Sequence, residues 1–544
     1  MAPNFRASIE GIALISGELS MVLRALAISF AMVAFTAAAS CQELKVGLSA
    51  EPSAMDPHYH NLTPNNSILS HVFERLIATD EKQRLLPGLA ESWKVVDETV
   101  WEFKLRRGVT WHDGSPFTAD DVVFSFQRAP NVPNSPSSFA SAVKGKTVSK
   151  VDDYTVRMTT GAVSPTLPND VATLMIVSKK NGENAKTEDY NSGKAAIGTG
   201  AYKFAKFTPG DRIEFARNDA YWGPKPKWTK LQFKPITAGP ARVAALLAGD
   251  VDMIEDTPTA DIERLKKDPK FQLSQGISNR LVYLFVDHAR DVTPFATAKD
   301  GGEIKNPFKD RRVREAMTKA INRDAIVARV MEGVAVPAGQ FLPDGYFGVS
   351  SKLKPVAYDP DGAKKLLAAA GFANGLRLTL HTPNGRYIND VKIAEAVAQM
   401  LTRVGIETAL EALQPSVFFT RASQGGPNNS PEFSFILVGW SSGTGENSGS
   451  VVPLVNTFDR AKGTGTTNRG RYSNAEVDQL SAEALRTNDD AKRAQLLAKA
   501  TEIAIEDVAV IPLHYQVNTW AARKGLSYKA RSDEFTLATD VSEP

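Results

Sequence analysis

The sequence predicts an α/β protein in which strands alternate with amphipathic helices. Residues 43–49 alternate apolar and polar side chains, as a strand with one buried face does. Residues 310–321 place apolar side chains at helical spacing, and residues 359–410 read as helix, strand, helix, strand. Strands and helices that alternate along the chain are typical of layered α/β folds.

The first strand is predicted at residues 43–49, where Leu44, Val46 and Leu48 share one face. Residues 51–66 are rich in proline and asparagine, which predicts a loop directly after that strand. A polar loop beside a strand end is a common place for a ligand contact.

A further strand and a helix are predicted within residues 91–128. The strand is indicated by alternating apolar side chains, at Trp101, Phe103 and Leu105. The helix is expected to begin after Thr118, because Asp121 stands three residues later, as in a capping box.

The second half of the chain is predicted to continue this pattern. An amphipathic helix follows Asp310, and the next helix ends at Gly333. The apolar positions of the first helix are Val313, Ala316, Met317, Ala320 and Ile321. The second helix carries Ile326, Val327, Val330 and Met331. Helices are also predicted at residues 359–371 and 389–405, each followed by a strand. Ser473 with Glu476 predicts one more capping box, and residues 508–515 predict a late strand.

Length and charge exclude some classes of protein. A chain of 544 residues is too long for one hydrophobic core, so several units are expected. Its formal net charge is +3, and charges of both signs are mixed along the chain. Nucleic-acid binding is therefore not expected, because that activity needs a concentrated basic surface.

The N-terminus predicts export. After Met21 and Arg24, an apolar run over residues 25–35 leads to small residues, as in a secretory signal. The expected leader is residues 1–41, with translation starting at Met1 or at Met21. Cys41 is the only cysteine, so no intramolecular disulfide is possible. Since Ala38 stands where lipoproteins usually have leucine, a soluble periplasmic protein is expected rather than one lipidated at Cys41.

Short motifs spread over nearly the whole mature chain carry a resemblance to a known family. They are residues 89–93 (LAESW), 103–114 (FKLRRGVTWHDG), 117–124 (FTADDVVF), 198–202 (GTGAY), 218–222 (NDAYW), 246–252 (LLAGDVD), 310–316 (DRRVREA), 320–323 (AINR) and 358–371 (YDPDGAKKLLAAAG). In this order they resemble the family 5 extracellular solute-binding proteins, the dipeptide-, oligopeptide- and nickel-binding components of ABC importers.

The resemblance implies a type II periplasmic-binding-protein fold, a bilobal clamshell with an extra subdomain and the ligand cleft between its lobes. Lobe I would comprise residues 42–78, 196–282 and 516–544. Residues 79–195 would form the extra subdomain packed on lobe I, and residues 283–515 would form lobe II.

The resemblance also suggests binding residues. In peptide-binding members, a strand ending in Gly-Trp leads to a loop whose acid holds the ligand's amine. Here Gly439 and Trp440 match, but Gly443 replaces the acid, and Glu446 is the nearest carboxylate that can take over. Arg386 matches the arginine that grips the ligand's carboxylate, a task suited to a planar guanidinium. The further expected contacts are Tyr59, His60, Asn61, Tyr387, Ser441 and Ser442.

Each of these residues also has a simpler interpretation. Trp440 is a ligand platform, a core residue or both, Arg386 is a ligand contact or a surface ion-pair partner, and Glu446 binds an amine or is merely solvated. Residues 439–443 have the G-x-S-x-G spacing of a hydrolase, which would make Ser441 a nucleophile. A binding loop is preferred, because the following residues 444–449 start a helix poorly.

Two other chemistries are not expected. His58 and His60 could bind a metal as an H-x-H pair, but in an extended segment they point to opposite sides, and spacing fixes no third ligand. No phosphate-binding P-loop motif occurs, so the chain is not the ATPase of an importer.

The expectation is a monomeric, cofactor-free periplasmic receptor that captures di- or oligopeptides and delivers them to an ABC permease with its cytoplasmic ATPase. The alternative is the same fold with another solute, such as a nickel chelate or a glutathione-like or opine-like compound.

Overall fold

A computed structural model describes residue 1 and residues 42–543 of the chain. The predicted leader, with its second start at Met21 and the lipidation candidate Cys41, therefore lies outside the described residues apart from Met1. Among the described helices, none is both long enough and apolar enough to cross a membrane.

The strands of the described chain are numbered in sequence order. They are β1 Glu43–Leu48, β2 Ile77–Thr79, β3 Leu85–Pro87, β4 Ala90–Asp97, β5 Val100–Leu105, β6 Lys146–Asp152, β7 Thr155–Thr160, β8 Tyr202–Thr208, β9 Arg212–Arg217, β10 Lys230–Pro235, β11 Met253–Glu255, β12 Phe271–Val286, β13 Ala296–Ala298, β14 Ala335–Pro337, β15 Leu376–Pro383, β16 Ile406–Leu413, β17 Phe435–Ser441, β18 Ile511–Arg523, β19 Ser527–Tyr528 and β20 Val541–Ser542.

The α-helices of the same residues are numbered likewise. They are α1 Thr63–Leu69, α2 Ala119–Arg128, α3 Ala140–Val143, α4 Leu167–Val171, α5 Lys179–Gly182, α6 Thr187–Asn191, α7 Gly239–Ala248, α8 Thr259–Lys267, α9 Arg311–Ala320, α10 Arg323–Ala325, α11 Pro360–Ala369, α12 Asp390–Arg403, α13 Pro415–Gln424, α14 Ser448–Leu454, α15 Ala475–Ala484 and α16 Asp490–Glu506. Short 3₁₀ turns and a π turn at Ile326–Val330 complete the helical segments.

Within residues 42–543, one mixed sheet of twelve strands organises the fold. Its strand order is β13-β15-β17-β12-β18-β11-β1-β10-β9-β8, with β14 added beside β18 and β16 beside β15. A separate sheet has the order β4-β5-β7-β6. Helices pack on these sheets, so the predicted α/β class is confirmed.

The long strands β12 and β18 connect two groups of buried side chains. Leu273 and Trp520 pack with the cores near the N-terminal part of the chain. Leu284 and Leu513 pack with the core built from α9, α11 and α12. The register between the two strands shifts between Ile277 and Leu281, where regular pairing is interrupted. This irregular stretch lies beside the cavities described below.

Most predicted elements are confirmed at the expected residues. Leu44, Val46 and Leu48 are buried on β1, and α9 begins after Asp310, whose side chain accepts a hydrogen bond from the Arg312 backbone at 2.9 Å. The Thr118 backbone N–H donates to Asp121 at 2.9 Å at the start of α2. The inward face of α12 also matches the prediction, with Ile393, Ala394, Val397, Ala398 and Leu401 buried.

Three local predictions are wrong. The loop predicted for residues 51–66 ends at α1, because Pro64 fits the first turn of a helix whose Ile68 and Leu69 are buried. The cap of α15 is Asn474 rather than Ser473, since the Asn474 side chain accepts the hydrogen bonds of the first turn. The late strand begins at Ile511 instead of residue 508 and continues to Arg523.

A third core belongs to the smaller sheet. Phe103, Trp111, Phe117 and Phe139 are buried there with neighbouring apolar side chains of residues 76–176. The boundaries predicted for the two lobes and the extra subdomain remain predictions, and these names are kept below for the residue ranges given above.

Candidate functional site

Two adjoining cavities lie between residues of the predicted lobes. The large chamber has a volume of about 710 Å³ and is lined by residues that include Ser49, Glu255 and Arg386. The small chamber has a volume of about 260 Å³ and is lined by residues that include Arg75 and Gly443. Leu62 and Thr63 line both chambers, so they form one cleft with two compartments.

The floor of the large chamber is formed by the ends of two parallel strands. β1 pairs in parallel with β11, so Ser49 and the acids Glu255 and Asp256 emerge at the same edge. The Ser49 backbone N–H donates to Glu255 at 2.8 Å, and the Ser49 hydroxyl lies 2.6 Å from the Asp256 carboxylate. The Thr536 hydroxyl donates to Glu255 at 2.6 Å. The two neighbouring carboxylates are therefore held by hydroxyl and amide donors.

The environment of this acid pair favours protonation. Burial raises the pKa of Glu255 to about 7, and the neighbouring Asp256 charge adds to the rise. Burial also raises the pKa of Asp256, while the Ser49 hydrogen bond and the charge of Arg242 act in the opposite direction. The folded environment therefore favours the protonated form of Glu255 more than water does.

Two arginines of the large chamber are occupied by protein groups. Arg280 makes a two-pronged ion pair with Glu534, with both nitrogen–oxygen distances at 2.7 Å. Arg242 donates to backbone carbonyls, among them Ile236 at 2.7 Å and Asp256 at 2.7 Å. These guanidinium groups shape the chamber but have few donors left for a ligand.

Arg386 differs from these two arginines. Within the described chain its guanidinium makes no hydrogen bond or ion pair, and it lies over the Tyr387 ring, 5.2 Å from the centroid. Its backbone is fixed, because the N–H groups of Arg386 and Gly385 donate to the Asp390 carboxylate at 2.8 and 3.1 Å. The Tyr387 hydroxyl donates to the Gly439 carbonyl at 3.1 Å. An anchored loop thus presents an exposed, unpaired cation to the large chamber.

The small chamber is built around the loop that follows β17. Ser441, Ser442, Gly443 and Thr444 line it. Asn279, from the irregular part of β12, donates to the Ser442 carbonyl at 2.7 Å and accepts a hydrogen bond from the Ser441 hydroxyl. Because Asn279 lies where the two long strands lose regular pairing, the loop is tied to the irregular stretch of β12.

The structure distributes the ten residues suggested by sequence among three places. Those that line the small chamber are Asn61, Ser441, Ser442 and Gly443. Those that line the large chamber are Arg386 and Tyr387. The remaining four, which line neither chamber, are Tyr59, His60, Trp440 and Glu446. Their roles as ligand contacts stay predictions.

The four outlying residues have protein partners. The Trp440 ring packs against a hydrophobic core, and its indole N–H donates to the Gly449 carbonyl at 3.0 Å. A His60 ring nitrogen lies 2.9 Å from the Ser53 hydroxyl, and the Tyr59 carbonyl accepts from Ser135 at 2.6 Å. Glu446 is buried in an ion pair with Arg493 at 2.7 Å, which gives its carboxylate an internal partner.

Several chamber residues were not anticipated from the sequence. Glu255 and Asp256 end a short strand, and polar residues at strand ends are a recognisable signal. Arg75 and Arg280 carry no comparable signal. The ion pair of Arg280 is visible only in the structure, because its partner Glu534 is 254 residues away in sequence.

The local geometry at Ser441 differs from that of a hydrolase nucleophile. In the nucleophile elbow, the serine sits on a sharp turn that leads directly from strand to helix. Here β17 includes Ser441, and the next helix begins at Ser448. The Ser441 hydroxyl donates to the amide oxygen of Asn279 rather than to a base.

The two histidines considered for metal binding, His58 and His60, lie in different environments. His58 is fully buried, and its ring nitrogen lies 2.8 Å from the Met175 carbonyl. Burial lowers the pKa of His58 to about 4. Across the described residues, no group of three or more histidine, cysteine, aspartate or glutamate side chains is arranged to hold a metal ion.

Comparisons with known proteins match most of the chain. A family model described as bacterial extracellular solute-binding proteins, family 5 Middle, matches residues 84–462. Heme-binding protein A of Haemophilus influenzae is 28% identical over 84% of this chain and 83% of its own length. Di/tripeptide-binding protein 1 of Pseudomonas aeruginosa is 28% identical over 91% of this chain and 93% of its own. The solved Escherichia coli murein tripeptide binding protein MppA is 26% identical, with a TM-score of 0.73 and coverage of 93% and 99% of the two chains.

Proposed function

Because the chain belongs to the family 5 bacterial extracellular solute-binding proteins, we propose that it captures small peptides in its two-chamber cleft and delivers them to an ABC permease. The fold predicted from the sequence, a type II bilobal solute-binding fold, is confirmed by the likeness to the solved relative over almost the whole chain. The family consists of binding proteins rather than enzymes, which agrees with the binding loop preferred at Ser441.

One observation favours peptides as the class of ligand. Arg386 lines a chamber of about 710 Å³, its guanidinium has no ion pair within residues 42–543, and its backbone is anchored by Asp390. A guanidinium binds a carboxylate through two parallel charge-assisted hydrogen bonds, and every linear peptide carries a terminal carboxylate. Two of the similar proteins described above are named for di- or tripeptides, which supports the same ligand class.

The acid pair, Glu255 and Asp256, places carboxylates in the same chamber as the Arg386 guanidinium. In this proposal Glu255 and Asp256 face the peptide's ammonium group, while Arg386 takes its carboxylate. A ligand cation would favour the ionised form of Glu255 and lower its pKa. This arrangement replaces Glu446, whose carboxylate is paired with Arg493, as the first candidate for the amine partner.

Closure of the cleft is the proposed mechanism of capture. A peptide that touches Arg386 of lobe II and the acid pair of lobe I stabilises the closed arrangement by its differential affinity for that form. The irregular stretch of β12 and β18 is the proposed site of bending, because interrupted pairing lowers the cost of a change in backbone angles. The permease then recognises the closed form. The protein is proposed to act as a monomer in the periplasm after removal of the leader.

The test is native mass spectrometry of the mature protein purified from its own periplasm, followed by calorimetry with di- and tripeptides. We expect co-purified masses that match short peptides, and dissociation constants in the micromolar range or below. A discrete non-peptide or metal-containing mass, together with the absence of heat from every peptide, would contradict peptide capture while leaving the family membership intact.

A further inference from the structure

The small chamber contains a cation, Arg75, that the described residues leave without an ion pair. The Arg75 guanidinium donates to the Ser70 hydroxyl at 3.0 Å and lies 5.8 Å from the centre of the Phe535 ring. No carboxylate of the described chain forms an ion pair with it. A half-buried guanidinium without an ion-pair partner is less favourable in the empty protein than a paired one.

Asp533, the acid that lines the small chamber, already has hydrogen-bond partners in the protein. Both oxygens of Asp533 face the Arg531 side chain, at 3.0 and 2.6 Å, and the Phe535 backbone N–H donates to the same carboxylate at 3.1 Å. Asp533 still attracts Arg75 over a longer distance, whereas burial and Arg531 lower the pKa of Arg75 to about 10. Arg75 therefore remains charged at neutral pH.

The loop opposite Arg75 offers additional donors. The backbone N–H groups of Gly443 and Thr444 donate no hydrogen bond to any described residue, although both residues line the chamber. A side chain built at Gly443 would meet no atom within 4 Å, so this position borders open space. By contrast, the Asn169 amide and the Ser442 hydroxyl are satisfied by protein carbonyls.

We propose that the small chamber receives a carboxylate of the solute, held by Arg75 together with the backbone N–H groups of Gly443 and Thr444. This rests on the proposed function and narrows it. Since Arg386 accounts for the terminal carboxylate in the large chamber, the group bound by Arg75 is a second one. The favoured solutes are then acidic peptides, in which an aspartate or glutamate side chain reaches past Leu62 and Thr63.

The experiment uses alanine tripeptides that carry glutamate or glutamine at the first, second or third position. Calorimetry on the full mature protein should show that, at one position, the glutamate peptide binds about 10-fold to 100-fold more tightly than its glutamine counterpart. The pairs differ in charge and hardly in shape. Equal affinity within every pair would overturn the proposal.

Variants at two positions, Arg75 and Gly443, assign the preference to this chamber. Arg75→Gln should reduce the glutamate-to-glutamine ratio to about 1, and Arg75→Lys should retain part of it. Gly443→Glu leaves Arg75 in place but supplies an internal carboxylate, so it should also abolish the ratio. Gly443→Gln, its matched control, fills the same space without charge and should keep the ratio while weakening both peptides alike. A ratio that survives in Arg75→Gln and Gly443→Glu would contradict the proposal.

A second probe separates this proposal from peptide capture itself. If no tripeptide binds, peptide capture fails, and glutarate then tests the chamber alone. Millimolar glutarate should raise the melting temperature of the wild type but not that of Gly443→Glu. No rise, or the same rise in both proteins, would overturn the anionic chamber.

Discussion

The carboxylate of Glu446 lies 2.7 Å from a guanidinium nitrogen of Arg493, and both side chains are almost completely buried. Arg493 also lies 4.0 Å from the centre of the Phe347 ring. This pair fastens the loop after β17 to α16, and so supports the wall of the small chamber from behind. A residue that the sequence suggests as a ligand contact thus has a defined place inside lobe II.

The first prediction concerns that pair. Glu446→Gln leaves the Arg493 charge buried without its main partner, which should reduce the free energy of unfolding by about 3 kcal/mol. Denaturant unfolding measures the loss. The control is Asp490→Asn, which removes the exposed second partner of Arg493 and should cost under about 1 kcal/mol. Unchanged stability together with selective loss of free-amine peptides would instead support Glu446 as the amine partner.

The second prediction concerns Arg386. Because its guanidinium makes no ion pair with the described chain, Arg386→Ala should change stability by less than about 0.5 kcal/mol. The same change should weaken peptide binding by roughly 2–5 kcal/mol, since a bound carboxylate loses its partner. Calorimetry with one tripeptide measures the effect. Lys392→Ala, which removes another cation of the large chamber, serves as the control and should cost much less. Equal losses in both variants would contradict a specific grip by Arg386.

The third prediction follows from the raised pKa of Glu255. Burial and the Asp256 charge raise this pKa from 4.5 to about 7, so the folded protein binds the proton more tightly than the unfolded chain. The resulting stabilisation is complete below about pH 4.5 and disappears as the pH rises through about 7. Its size is at most about 3 kcal/mol.

Melting temperature measured between pH 4.5 and 8 tests this contribution. Histidines whose pKa is lowered by burial, such as His58, stabilise the protein as the pH rises over part of this range, so the wild type is compared with Glu255→Gln at each pH. The melting temperature of the wild type minus that of Glu255→Gln should fall as the pH rises, because the amide does not titrate. The exposed Glu263→Gln serves as the control, and its difference from the wild type should stay constant. A difference that does not fall for Glu255→Gln would contradict the raised pKa of Glu255.

The fourth prediction concerns a contact between the predicted lobes. The Asn389 side-chain amide donates to the Thr259 hydroxyl at 3.1 Å and also to the Val330 carbonyl at 3.0 Å. A hydrogen bond of this kind contributes about 1 kcal/mol. Thr259→Val removes the acceptor and should therefore disfavour the closed form.

Small-angle scattering and calorimetry measure that effect. Thr259→Val should increase the radius of gyration of the ligand-free protein and weaken peptide binding by about fivefold, mainly through faster dissociation. Thr259→Ser keeps the hydroxyl and should behave as the wild type. If valine and serine have the same effect, the hydroxyl does not hold the lobes together.

Local elements were predictable where a short segment contains its own signal. The capping pair Thr118 and Asp121 and the inward face of α12 were found from spacing alone, because one turn of helix brings those residues together. The helix α1 was missed, since the polar residues before Ile68 hide a helix whose burial comes from distant parts of the chain. The same limit applied to the late strand, where Val508 to Val510 read as strand but precede β18.

The sequence by itself determined the class of fold and the family, because periodicity and motif order are local properties. It also predicted Arg386 and the loop at residues 441–443 as ligand contacts, and these remain predictions. Tertiary structure alone decided which charges are free. Glu446 and Arg280 form ion pairs with Arg493 and Glu534, which are far away in sequence. Arg75 and Arg386 form no ion pair within residues 42–543. The physical reason is that a charge is neutralised by what lies within a few ångströms of it in space, and folding sets those neighbours.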